Sequence, residues 1–88
     1  MLATRQGDLL PGLAARADGR EATADGLRLR FAATSGNLQA IVAVIDAERQ
    51  CCGFLRFDLS VEAHGGPLWL ALSGPAGTAE FLTELLGA

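Results

Sequence analysis

The sequence predicts a small α+β fold in the order α-β-α-β-β-α, with a three-stranded mixed sheet covered by helices on one face. Three observations predict it. Leu27-Arg28-Leu29-Arg30-Phe31 alternates apolar and charged residues, the period of a half-buried strand. Leu38, Ile41, Ile45 and Cys52 fall on one stripe at helical spacing. Two further alternating runs, Phe57-Asp58-Leu59-Ser60-Val61 and Leu68-Trp69-Leu70-Ala71-Leu72, flank His64-Gly65-Gly66, which reads as a tight hairpin loop.

Taken in order, residues 8–16 carry Leu9, Leu10 and Leu13 and predict a short helix from Asp8 to Arg16. Pro11 then belongs in its first turn, where no amide donor is needed. The polar stretch 17–26, with Gly19 and Gly26, reads as a connecting loop, and the strand 27–31 follows it. Thr34, Ser35 and Asn37 offer N-caps for a helix running to Cys52, with Gly53 as a left-handed stop. Strands are predicted at about Arg56–Ala63 and Pro67–Ser73, and Ser73-Gly74-Pro75 breaks the second. A last helix at about Gly77–Leu86 carries Phe81, Leu82, Leu85 and Leu86 on one stripe. The first two strands are expected to run parallel, joined by a right-handed helical crossover. The place of the third is left open.

A chain of 88 residues accommodates one domain, 1–88, with a modest core. Half of its residues are hydrophobic, which argues against disorder. The net charge is −3 and no basic stripe is interleaved with aromatics, so no nucleic acid partner is expected. The longest apolar run, Leu38 to Ile45, is interrupted by Gln39 and is too short to insert across a membrane. No long apolar segment follows Arg5 and Asp8, so no signal peptide is expected and the expected compartment is cytoplasmic.

The only two cysteines, Cys51 and Cys52, are adjacent. Their Cα atoms lie about 3.8 Å apart, below the usual disulfide span of roughly 4.4–6.8 Å, so a reduced pair is expected. On a helical wheel Glu48 sits in the middle of the apolar face, one turn before Cys52. A carboxylate there is costly without a partner. Two readings compete. In one, Glu48 caps an amide or pairs with an arginine, and the cysteines are small apolar fillers of a non-catalytic interaction or dimerisation domain, with Trp69 marking the interface. In the other, Cys51, Cys52 and Glu48 bind a soft metal ion. Two adjacent sulfurs suit mercuric, cuprous or arsenite species better than structural zinc, which takes four spaced ligands.

Nucleophilic catalysis fits poorly, because a helix C-terminus and Glu48 both disfavour thiolate. His64 reads as an exposed loop residue. Gly74-Pro75-Ala76-Gly77 reads as a turn rather than an anion cradle. A short open sheet leaves edges to cover, so a homodimer is expected.

The stretch Asp46-Ala47-Glu48-Arg49-Gln50-Cys51-Cys52-Gly53-Phe54-Leu55-Arg56-Phe57-Asp58-Leu59, followed by Leu70-Ala71-Leu72-Ser73-Gly74-Pro75, resembles a family of small bacterial proteins with a Glu-Arg-x-Cys-Cys-x-Phe-Leu-x-Phe signature. The resemblance covers about residues 27–87. Proteins of this kind are associated with mercury or arsenic resistance, which implies heavy-metal binding or sensing. Relatives often carry a further cysteine near their start. This chain has only Cys51 and Cys52, so the implied ligand set is Glu48, Cys51 and Cys52.

Overall fold

A computed structural model describes residues 9–86. Helix α1 occupies residues 9–14, and the expected start of this helix at Asp8 lies outside the described residues. There follow β1 (Gly19–Thr23), β2 (Gly26–Phe31), α2 (Ser35–Cys51), β3 (Arg56–Val61), a 3-10 turn (Ala63–Gly65), β4 (Leu68–Ser73) and α3 (Thr78–Leu86).

The sheet has four strands in the order β1-β2-β4-β3, and every ladder is antiparallel. This corrects the expected three-stranded mixed sheet. β2 and β3 do run in the same direction, since each is antiparallel to β4. β4 lies between them, so no two parallel strands touch.

The additional strand, β1, comes from the segment read as a loop. Its residues Gly19-Arg20-Glu21-Ala22-Thr23 have no apolar alternation, yet they pair with β2 across a turn at 24–25. Arg20 and Ala22 stand opposite Leu29 and Leu27, on the helix-covered side, and are exposed. An edge strand beyond the reach of the helices needs no apolar stripe, and its pattern is silent for that reason.

One face of the sheet holds the core. Leu27, Leu29, Phe31, Leu68, Leu70 and Leu72 are buried there, against Leu10 and Leu13 of α1, Ile41 and Val44 of α2 and Leu82 of α3. Phe57 and Leu59 of β3 pack at the margin of this cluster. Gly26 sits where β2 begins against β4. A Cβ there would collide with the backbone carbonyl of Leu72, so only glycine permits this approach.

The other face is open and laced with ion pairs. Arg28 reaches Glu21 on the neighbouring strand at 3.1 Å, Arg30 reaches Asp18 at 2.8 Å and Arg56 reaches Asp58 at 3.1 Å. Trp69 lies on this face half-buried, with the Arg28 guanidinium 4.1 Å from its ring centroid. A cation stacked on the ring covers part of the apolar surface that the sequence offered as an interface anchor.

The start of α2 follows its sequence. The Thr34 hydroxyl accepts a hydrogen bond from the Asn37 amide at 3.1 Å. Asn37 in turn receives Arg16 Nε on its side-chain oxygen at 3.0 Å, joining the end of the first helical segment to α2. Between β3 and β4, His64 and Gly65 both take left-handed backbone angles, φ 60° and 73°. His64 is exposed there, as expected. No helix among the described residues is long and apolar enough to cross a membrane.

Candidate functional site

Ile41 and Val44 of α2 lie in the core cluster, and Ile45 and Cys52 pack against it. Ile41, Val44 and Glu48 are the buried residues of this helix. Glu48 is 1% exposed, which places a carboxyl group inside an otherwise apolar cluster. The wheel position forces this, because Glu48 shares the stripe of Ile41 and Val44.

Its partners are few. The Cys52 thiol donates to Glu48 Oε1 at a sulfur–oxygen distance of 3.5 Å. Oε2 is buried with no hydrogen-bond partner among the described residues. Among the described residues, Glu48 therefore neither caps an amide with its side chain nor pairs with an arginine. The arginines nearest in sequence are engaged elsewhere: Arg49 with Asp46 at 2.8 Å and Arg56 with Asp58. A buried oxygen left unsatisfied costs about 1–3 kcal/mol.

Cys51 is the last residue of α2 and is exposed, while Cys52 caps the helix and is half-buried. The Cys52 amide donates to the Glu48 carbonyl at 2.6 Å, and its own carbonyl accepts from the Leu55 amide at 3.0 Å. Gly53 does not take the left-handed angles expected of it. The stop is made instead by Cys52 itself, at φ −119° and ψ 67°. The chain then turns directly into β3.

The environment holds the Cys52 thiol protonated. Burial pushes its pKa above the ordinary 9.0, and the hydrogen bond to Glu48, the charge of Glu48 and the neighbouring Cys51 add to the shift. This is the opposite of what a nucleophilic cysteine needs.

The structure thus joins two of the three residues singled out by the sequence, Glu48 and Cys52, in direct contact. Cys51 leaves the helix at about 100° from Cys52 and is turned toward solvent. Among the described residues, no three His, Cys, Asp or Glu side chains are arranged to hold a metal ion. His64 follows the far end of β3 from the cysteines, so it does not complete a set. Gly74-Pro75-Ala76-Gly77 forms a turn into α3, in which the Thr78 amide donates back to Pro75.

One neighbouring feature escaped the sequence reading. Phe54 and Phe81 are 47% and 41% exposed, and their rings meet edge to face at 5.7 Å. Helical periodicity assigned Phe81 to the core stripe of α3. Only the packing of α3 beside the 53–55 turn shows that it shields Phe54 instead. Compared with known proteins, the chain matches no family model, no curated protein and no solved structure.

Proposed function

We propose that the end of α2 captures a soft cation, with Cys52 and Glu48 as the assembled part of the site and Cys51 as the second sulfur. The observation that carries this reading is the Glu48 carboxyl: it is buried, its Oε2 has no partner among the described residues, and its Oε1 already contacts a thiol. A cation held by the Cys52 sulfur would give that carboxyl an electrostatic partner. It would also stabilise the thiolate that the protein surroundings disfavour. Mercuric, cuprous or arsenite species fit two sulfurs and few other ligands, whereas harder ions do not. Cys51 joins the same ion when the last turn of α2 unwinds. Gly53, just past that turn, has nothing within 4 Å of where a Cβ would stand. In this reading the domain binds or senses an ion and performs no covalent catalysis.

The test is titration of reduced protein with each ion against a glutathione competitor, read by native mass spectrometry. We expect uptake that Cys51→Ser/Cys52→Ser abolishes with the circular dichroism spectrum unchanged. Glu48→Leu is expected to weaken uptake while raising stability by about 1 kcal/mol, because it removes an unsatisfied buried oxygen. Undiminished uptake in the double cysteine variant would sink the proposal.

A second reading, a non-catalytic interaction module with the cysteines as fillers, draws on the exposed Phe54–Phe81 pair. It gains ground if no ion is taken up in competition with glutathione.

A further inference from the structure

We propose that β3 is a homotypic interface, at which two copies of this chain pair antiparallel into one continuous sheet centred on Leu59. This inference is independent of the cation reading. β4 occupies one side of β3, and among the described residues no strand pairs with its other side. The hydrogen-bonding groups along that side are a template for a further strand.

The two edges of the sheet differ. β1 places Arg20 and Ala22 on the helix-covered side, and an inward-facing charge of that kind blocks edge pairing. β3 places Phe57, Leu59 and Val61 there, and Val61 is 62% exposed. An edge strand with an apolar side and no protecting charge on that side is the one built to be covered.

The occupant is a second copy because β3 is complementary to itself. With Leu59 on the twofold axis, Phe57 of each chain faces Val61 of the other on the helix-covered side. On the open side Arg56 faces Glu62 of the other chain, at both ends of the pairing, and Asp58 faces Ser60. Glu62 directly follows β3 and is still extended, at φ −76° and ψ 152°, so it continues the strand.

Neighbouring registers fail. A shift by one residue turns the apolar side of one copy toward the open face of the other. A shift by two in one direction sets Asp58 against Asp58. A shift by two in the other direction sets Asp58 against Glu62. Like charges directly opposite are destabilising.

Sedimentation equilibrium from about 10 μM to 1 mM, with a dissociation constant fitted for each variant, tests the proposal. Wild type is expected to form dimers, and Val61→Lys to weaken them about tenfold or more. Arg56→Glu and Glu62→Arg are each expected to weaken dimerisation about tenfold, and the two together to restore it. All three positions are exposed, so each variant is expected to keep the wild-type circular dichroism spectrum. Amide hydrogen exchange of the unaltered chain offers a test without substitution: protection of residues 56–62 is expected to rise with concentration. A monomer across this range overturns the proposal. So do dimers indifferent to these changes, exchange in β3 that ignores concentration, or a double reversal that fails to restore pairing.

Discussion

Glu48 and Cys52 show how one turn of helix sets the chemistry of two side chains. The carboxyl is buried because its helical phase matches Ile41 and Val44, and it is half-satisfied because, among the described residues, the only donor on it is a thiol. The same contact has a consequence for stability. Burial first, then the hydrogen bond to Glu48 and the charges of Glu48 and Cys51, raise the Cys52 pKa in the folded chain above 9.0. The folded state therefore holds that proton more tightly than the unfolded state does. The corresponding stability is complete below the unfolded-state thiol pKa and is lost as pH rises through the folded-state value. Urea denaturation across this alkaline window is expected to show a steeper loss of stability for wild type than for Cys52→Ala. Equal slopes in the two proteins would mean that the thiol's surroundings do not bear on folding.

At the scale of elements, the closest constraint is the start of β2 against β4. Gly26 stands opposite Ser73, and a Cβ on it would meet the carbonyl of Leu72, a backbone atom that cannot turn aside. Gly26→Ala is expected to cost about 1–3 kcal/mol in chemical denaturation, by forcing the central ladder apart. Gly53→Ala is the control. Nothing lies within 4 Å of its added Cβ, and its backbone is outside the left-handed region, so little change is expected. The same contrast explains why α2 ends without a glycine cap: Cys52 closes the helix by its own backbone angles and amide.

For the whole molecule, the sheet's two sides and two edges divide the work. Helices cover one side, ion pairs and the Arg28–Trp69 stack occupy the other, and the charged β1 closes one edge. β3 is the other edge, the one at which we propose that a second copy pairs. In a dimer centred on Leu59, the cysteine pairs precede opposite ends of the paired strands, so the two chains do not pool their sulfurs. Native mass spectrometry at saturation is therefore expected to find one soft ion per chain, whether the protein is a monomer or a dimer. A single ion bridging two chains would show that the subunits associate through the cysteine end of α2 rather than through β3.

The sequence by itself determined which side of β2, β4 and α2 faces the core. Periods of 2 and 3.6 residues report burial directly, so Leu27, Leu29 and Phe31, the alternating leucines of β4, and even the misplaced Glu48 were legible. It also placed a reversal at His64-Gly65-Gly66, although the connection is longer than the tight loop expected: β3 ends at Val61, β4 starts at Leu68, and a 3-10 turn lies between them. Tertiary structure alone decided the neighbours. Periodicity names a face and not the strand beside it, so the position of β4 between β2 and β3 could not be read from its leucines. A charged edge strand such as β1 buries nothing large, so it leaves no periodic trace and becomes visible only through its pairing with β2. The contact between the Cys52 thiol and Glu48, with the second carboxyl oxygen left alone, depends on rotamers and on which arginines are already paired. Those choices are made by packing, after the fold has closed around them.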